Sequence, residues 1–116
     1  MTGRYPHRYG SQTHVSTDWV LGSRSWMPRP EASMAERIKA AGYSTRMVGK
    51  WHLGRNPKKD GPIQRGFDDF YGTMTGAGSF YDPFTLARNT EFTEVDEEDY
   101  YYTDRIGVEA SRQIGE

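Results

Sequence analysis

The sequence contains no cysteine and is poor in aliphatic side chains. Without cysteine the chain has no disulfide, no thiolate metal ligand and no cysteine nucleophile. Leucine, isoleucine, valine and phenylalanine together make up 17 of the 116 residues, a low fraction that is typical of disorder when the net charge is high. Here the net charge is −1, and 16 aromatic residues supply core material. We therefore expect an ordered chain with a thin core, more easily understood as part of a larger fold.

Long apolar runs are also missing from the sequence. No stretch approaches the roughly 18 consecutive apolar residues that a membrane-spanning helix requires, and residues 1–6 do not lead into the apolar core of a signal peptide. We therefore expect a chain without a membrane span and without a targeting signal of its own.

Charge is unevenly divided along the chain. Residues 1–65 carry a net charge of +8, whereas residues 66–116 carry −9, so the two parts attract each other or face different partners. The basic side chains are scattered and accompany no RNA- or DNA-binding motif, so a solvated surface is favoured over a nucleic-acid interface. A nucleic-acid interface would show an affinity that falls steeply with salt.

A helix is predicted to begin at Pro30. Proline is tolerated at the first helical position, and Glu31 suits the positive end of the helix dipole. Apolar residues recur at i, i+4 and i+7 and form one predicted buried stripe, namely Met34, Ile38 and Ala41. Gly42 follows as a predicted left-handed cap, with Tyr43 packing back on Ile38 in a Schellman motif.

A strand is predicted over residues 43–48, because the segment is rich in strand-favouring residues and directly follows the helix cap. Gly49 ends the strand, and the next residues lie outside its carboxyl end, where open α/β sheets place their ligand sites. If the chain stays extended there, Lys50 and His52 project to one side while Trp51 turns the other way into packing. Helix and strand together form a predicted αβ unit.

The remaining segments are mostly predicted as loops, because glycine and proline interrupt the apolar pattern. The predicted segments are loop with at most one helical turn over 1–29, loop over 55–66, an aromatic segment over 67–71, a glycine-rich turn over 72–78, an irregular or edge segment over 80–85, an acidic surface run over 91–99, and a helix from Thr103 with the pattern Ile106, Ala110 and Gln113/Ile114.

Lys50 and His52 are the candidate catalytic and substrate-binding residues. A fixed cation beside a side chain that titrates near neutral pH can bind an oxyanion and transfer a proton to its leaving group. The spacing alone is a weak signal, since a Lys-x-His pair is more often ordinary surface. Gly49 and Gly54 on either side favour the functional interpretation, because small residues let a ligand approach the backbone.

A family resemblance is carried by the stretch Gly-Tyr-Ser-Thr-Arg-Met-Val-Gly-Lys-Trp-His-Leu-Gly at residues 42–54. It resembles, nearly residue for residue, the second signature of the sulfatase family within the alkaline phosphatase superfamily. Residues 1–8 are similar to the segment that follows the nucleophile motif in arylsulfatases. Further similar blocks follow in the family's order, at 64–72, 80–83 and 101–104. The resemblance covers nearly the whole chain and implies an α/β fold, a fragment of a doubly wound sheet in an alkaline-phosphatase-like domain.

The resemblance also implies the chemistry and the roles of the matching residues. In the family a Cys or Ser in a Cys/Ser-x-Pro-x-Arg motif is oxidised to formylglycine. Its hydrate attacks the sulfur of a sulfate ester, while a divalent cation, usually calcium, holds the sulfate oxygens. Lys50 corresponds to the lysine that binds the sulfate and the aldehyde hydrate, and His52 to the histidine beside it. The implied substrates are sulfate esters of small molecules or sulfated glycans.

The sequence departs from the family pattern at its start. Thr2-Gly3 matches the tail of the first signature, so the nucleophile, its following arginine and the family's metal ligands are absent from residues 1–116. We therefore expect a partial sulfatase catalytic domain, an internal fragment without the nucleophile segment and the C-terminal part, which is inactive alone. The calcium ligands and the formylglycine are expected outside the chain. Two alternatives stay open: a phosphoester or phosphonate hydrolase of the same superfamily, and a catalytically empty binding fragment.

Other polar residues invite functional interpretations that we do not favour. The pair Asp68-Asp69 resembles a metal-binding pair, but its aromatic neighbours and the family resemblance favour a structural loop. His7 and His14 lie in polar loop and are expected on the surface. The acidic residues 94–99 lack the glycine and the ligand spacing of a calcium-binding EF-hand, so we expect a solvated loop.

Overall fold

The computed structural model describes residues 1–10, 27–95 and 97–115. Over these residues the chain forms a mixed four-stranded sheet with α-helices and short 3-10 helices, which confirms the predicted α/β class. The strands are β1 (Arg46–Val48), β2 (Asp69–Thr73), β3 (Leu86–Arg88) and β4 (Glu91–Phe92), the α-helices are α1 (Met34–Ala40) and α2 (Tyr102–Gly115), and the 3-10 helices are Pro6–Tyr9 and Ile63–Arg65.

Helix α1 begins at Met34 and not at the predicted Pro30. Ser33 caps the helix: its hydroxyl accepts a hydrogen bond from the Glu36 N–H (3.0 Å), and the Glu36 carboxylate accepts one from the Ser33 N–H (2.5 Å). This capping box satisfies two backbone N–H groups that lie near a helix start. Its two hydrogen bonds outweigh the weaker preference of proline for a first helical turn.

The predicted Schellman motif at the end of α1 is confirmed in its backbone. Gly42 has a φ of +91°, in the left-handed region that glycine adopts without steric cost. The Tyr43 N–H donates to the Ile38 carbonyl (3.3 Å), and the Gly42 N–H donates to the Lys39 carbonyl (2.9 Å). The helix therefore ends where the sequence predicts.

The predicted buried stripe of α1 is wrong. Met34 and Ile38 are 56% and 37% exposed, whereas Ala35 is 2% exposed. The face that carries Ala35 lies against Gly66, where a β-carbon would overlap the α1 backbone. Close backbone contact requires small side chains, so alanine and not the longer apolar residues occupies the buried face.

Strand β1 confirms the predicted strand, although it covers only three residues. It pairs in parallel with β2, and β2, β3 and β4 follow as antiparallel neighbours. The sequence does not predict β2, because Gly72, the fourth of its five residues, disfavours a strand. The structure explains this glycine, since a β-carbon at Gly72 would overlap the Gly49 carbonyl oxygen at the end of β1.

The sheet is covered on both faces by two apolar clusters. The buried members of the first are Trp51, Phe70, Met74 and Ala87. Those of the second are Tyr71, Leu86, Tyr100 and Tyr102. Successive residues of a strand point to opposite faces, so Phe70 and Tyr71 in β2 place the clusters on opposite sides of the sheet. Five of these eight residues are aromatic, as the composition predicts.

Helix α2 confirms the helix predicted from Thr103, but its buried face is polar. Glu109 and Gln113 are 4% and 5% exposed, whereas Ile114 is 86% exposed. Ile106 still packs against the second apolar cluster. Neither this helix nor α1 is long and apolar enough to cross a membrane.

Ion pairs take the place of an apolar stripe between α2 and the sheet. Arg88 in β3 donates two hydrogen bonds to the Glu109 carboxylate, one of them at 3.0 Å. Arg112 donates to Glu109 (2.9 Å) and to Asp69 at the start of β2 (2.6 Å). The hydrogen bonds from Arg88 and Arg112 lower the pKa of Glu109 from 4.5 to about 2.

Candidate active site

Lys50 and His52 lie beyond the carboxyl end of β1, as the sequence predicts. After the strand ends the chain continues alongside β2, with the N–H groups of Trp51 and His52 donating to the carbonyls of Thr73 and Met74 (2.9 and 3.1 Å). The carboxyl ends of the parallel strands β1 and β2 therefore meet at one edge of the sheet. Open α/β sheets place their ligands at such an edge.

The backbone at His52 is not extended, contrary to the prediction. His52 has a φ of +54°, in the left-handed region that non-glycine residues rarely adopt, so the chain turns at this residue. Both side chains nevertheless reach Gly76. The Lys50 ammonium donates to the Gly76 carbonyl (3.0 Å), and the His52 imidazole lies where a β-carbon at Gly76 would overlap it. The structure therefore brings the two residues together by another geometry.

The predicted packing of Trp51, which lies between the two candidate residues in the sequence, is confirmed. Its side chain is buried in the first apolar cluster and meets the Phe67 ring edge to face, with 6.3 Å between ring centroids. The indole N–H donates to the Asp60 carbonyl (2.8 Å). Trp51 thus fixes the backbone that carries Lys50 and His52.

Gly54 does not have the predicted role of opening the backbone to a ligand. A β-carbon at Gly54 would overlap Asp60, whose carboxylate accepts a hydrogen bond from the Asn56 N–H (2.6 Å). The small size of Gly54 therefore serves loop packing. At Gly49 the space for a β-carbon is open among the described residues, so only this glycine retains the predicted role.

Gly76 belongs to a closed loop over residues 75–85 that the sequence does not single out. At the base of the loop the hydroxyl oxygens of Thr75 and Thr85 lie 2.8 Å apart, and the Thr75 N–H donates to the Thr85 hydroxyl (3.2 Å). The Met74 N–H donates to the Thr85 carbonyl (3.0 Å). The glycines at 72–78 predict a turn, but they do not indicate which residue faces Lys50.

The pair has the groups needed to hold an anion and to transfer a proton. The Lys50 ammonium group carries three N–H donors. Among the described residues it donates to the Gly76 carbonyl. Its other donors can therefore bind the oxygens of a tetrahedral anion. Lys50 is exposed and His52 is half-buried, so an anion from solvent can reach them. Imidazole is the side chain that titrates near neutral pH. The arrangement can therefore bind an oxyanion and protonate a leaving group.

Asp68 and Asp69 have structural partners, which supports the structural interpretation of the pair. Asp68 accepts from the Lys39 ammonium (2.5 Å) and from the Thr45 N–H (2.9 Å), and these bonds lower its pKa from 3.8 to about 2. Asp69 opens β2, where the prediction has a loop, and pairs with Arg112. Both carboxylates therefore stabilise the contacts of the sheet with its helices.

The described part of the chain does not fit a calcium ion, because no three His, Asp or Glu side chains are grouped there. The location of calcium ligands elsewhere stays a prediction. His7 is exposed as predicted, whereas His14 and Asp96 lie outside the described residues. In the acidic run Glu97 forms an ion pair with Arg105.

Away from Lys50 and His52, a concavity of about 260 Å³ lies on the α2 side of the sheet between Tyr71, Arg88, Tyr100 and Arg105. Its groups already have partners. The two tyrosine hydroxyls lie 3.1 Å apart, and both arginines form ion pairs with glutamates. Burial raises the pKa of both tyrosines, so they stay protonated. We therefore assign the candidate site to Lys50 and His52 and not to this cleft.

The family model named Sulfatase matches residues 1–116, and the chain belongs to the sulfatase family. Arylsulfatase J of Mus musculus is 38% identical over 81 residues, which is 70% of this chain. Steryl-sulfatase of Mus musculus is 36% identical over 98 residues, which is 72% of this chain. The chain spans only 13% and 16% of the length of these relatives.

Nearly the whole chain also resembles a solved structure. The crystal structure of Ps i-CgsB matches with a TM-score of 0.79 and 28% identity, covering 99% of this chain and 29% of that chain. Ps i-CgsB was also solved in complex with k-i-k-neocarrahexaose.

Proposed function

We propose that the protein of which residues 1–116 form part hydrolyses sulfate esters, with Lys50 and His52 acting on the sulfate. The observation that carries the proposal is the meeting of these side chains at Gly76 in a chain of the sulfatase family. The Lys50 ammonium binds sulfate oxygens and stabilises the charge that develops on them in the transition state. The His52 imidazole lies at the same point and donates a proton to the leaving alcohol.

Residues 1–116 form part of a catalytic domain, and the nucleophile and the cation ligands lie in other segments. The sequence supports this, because it has no cysteine and no serine in a Ser-x-Pro-x-Arg motif. The relatives are also several times longer than the chain. A formylglycine would supply the attacking oxygen and calcium would hold the sulfate oxygens. This chain supplies the lysine and the histidine.

A sulfated glycan is the substrate class that we favour over a small sulfate ester. Support comes from Ps i-CgsB, which binds a neocarrahexaose, an oligosaccharide of the sulfated carrageenan type, and which matches 99% of this chain. The alternative substrate class is the sulfate ester of a small apolar alcohol, which the name of the relative steryl-sulfatase suggests. In either case Lys50 and His52 meet the sulfate, which both substrate classes share.

The test is aryl sulfate hydrolysis by the full-length protein and by its Lys50→Ala variant. We expect kcat/KM to fall by more than about tenfold, because a cation at the developing sulfate charge is lost. Lys59→Ala is the charge-matched control, since Lys59 is exposed on the neighbouring loop. Its kcat/KM should equal that of the unaltered protein.

Two outcomes would contradict the proposal. Equal kcat/KM values for Lys50→Ala and Lys59→Ala would place the sulfate elsewhere. A higher kcat/KM on an aryl phosphate, assayed in parallel, would favour a phosphoester hydrolase of the same superfamily.

A further inference from the structure

Three aromatic side chains form an exposed cluster, two of them in the loop over residues 75–85 and one just before α2. Phe80, Tyr81 and Tyr101 are 56%, 70% and 38% exposed. The Tyr101 ring lies 6.1 Å from Phe80 and 5.4 Å from Tyr81, tilted by 40° and 37°. We call Phe80, Tyr81 and Tyr101 the aromatic platform.

The fold holds the backbone of the aromatic platform in place. The Tyr102 N–H donates to the Phe80 carbonyl (2.8 Å), which ties the loop to the first residue of α2. The Ser79 hydroxyl accepts from the N–H groups of Tyr81 (3.0 Å) and Asp82 (3.1 Å). Because the rings stand on a fixed backbone, a ligand that binds them loses little affinity to ordering the loop.

The aromatic platform also lies within reach of the candidate site. Phe80 follows Gly76 by four positions, and an extended chain spans at most roughly 3.6 Å per residue, so their backbones are within about 14 Å. Gly76 itself touches both Lys50 and His52. A single aryl sulfate bound at Lys50 has no need to extend so far, whereas a chain of sugar rings does.

We propose that the aromatic platform is a subsite that stacks a sugar ring of a sulfated oligosaccharide whose sulfate lies at Lys50 and His52. The apolar face of a sugar ring packs on exposed aromatic rings, and the Tyr81 and Tyr101 hydroxyls supply hydrogen bonds at the edge of the contact. Exposed apolar patches with polar groups at their rim are common at ligand-binding grooves. The inference rests on the proposed function, and the following experiment separates the two.

The experiment compares Tyr81→Ala with the unaltered full-length protein on two substrates, a sulfated carrageenan oligosaccharide and a small aryl sulfate. We expect kcat/KM on the oligosaccharide to fall by about tenfold, as for the loss of one stacking contact, with the aryl sulfate value unchanged. Tyr81→Phe keeps the ring and should retain most of the activity. Phe92→Ala is the matched control, because Phe92 is 55% exposed on β4.

A direct titration tests the aromatic platform without catalysis. The desulfated oligosaccharide should bind the unaltered protein and Phe92→Ala equally, and Tyr81→Ala about tenfold more weakly. If the unaltered protein hydrolyses neither substrate, the proposed function fails while this titration still decides the subsite.

Three results would overturn the subsite. These are equal losses of Tyr81→Ala on both substrates, no binding of the desulfated oligosaccharide, and a Tm of Tyr81→Ala well below that of Phe92→Ala. The last would show that the ring is covered by another part of the protein.

Discussion

Gly76 carries no side chain, and this lets Lys50 and His52 meet at one point. The lysine uses the Gly76 carbonyl as an acceptor, and the histidine ring fills the space that a β-carbon would occupy. The requirement for glycine is therefore steric. A larger residue would move the end of the flexible His52 side chain before it moved the backbone.

We predict that Gly76→Ala lowers kcat/KM on an aryl sulfate by about tenfold, because the displaced imidazole no longer faces the leaving oxygen. The Tm should stay within the range of the unaltered protein. Gly78→Ala is the matched control, since a β-carbon there has its nearest neighbours at 3.8–4.0 Å, an ordinary contact distance. Equal kcat/KM values for the two variants would show that the His52 position has no effect on the reaction.

At the scale of elements, α2 is joined to the sheet by buried charge. Glu109 is 4% exposed and receives hydrogen bonds from Arg88 and Arg112. Arg112 also reaches Asp69, so one helix turn contacts both β2 and β3. A buried carboxylate without its partners is costly, so each member of this network depends on the others.

We predict that Glu109→Gln lowers the free energy of unfolding at pH 7 by about 2 kcal/mol, because Arg88 loses its carboxylate partner and Arg112 loses one of its two. Urea unfolding of the full-length protein measures the change. Glu98→Gln is the control, since Glu98 is exposed in the acidic run. An equal effect of the two substitutions would contradict a structural role of the network.

The same carboxylate predicts a pH dependence of stability. The pKa of Glu109 is about 2 in the folded protein, against 4.5 for an ordinary glutamate. Its stabilisation is therefore fully present above pH 4.5 and is lost as the pH falls towards 2, because the unfolded chain binds the proton more readily. In Glu109→Gln the loss of stability over this range should be smaller. Asp68, whose pKa is also lowered to about 2, still contributes there. An identical pH dependence in both proteins would contradict the assignment.

At the scale of the whole molecule, the chain carries the two candidate site residues and spans only 13% and 16% of the length of two relatives. We predict that purified residues 1–116 do not turn over an aryl sulfate, because the sequence has neither a cysteine nor a serine in the nucleophile motif. Turnover by residues 1–116 that Lys50→Ala abolishes would contradict this prediction.

In-frame coding sequence before Met1 should encode Cys/Ser-x-Pro-x-Arg within about a dozen residues.

The local elements of the fold could be predicted from the sequence where local hydrogen bonds determine them. The cap at Gly42, strand β1 and helix α2 depend on neighbouring residues, and all three are confirmed. Strand β2 could not be predicted, because Gly72 opposes a strand locally. It forms a strand only because β1 and β3 lie beside it.

The sequence by itself determined the αβ unit and, through residues 42–54, the family and the choice of Lys50 and His52 as candidate site residues. Only the tertiary structure decided how these two side chains meet, because the contact at Gly76 joins segments more than twenty residues apart. It also decided which polar residues are buried. Arg65, with 3% exposure, donates to the carbonyls of Met27, Pro28 and Glu31, partners that no local pattern indicates. The physical reason is that hydrogen bonds and steric contacts between distant segments depend on chain packing, which short-range periodicity does not encode.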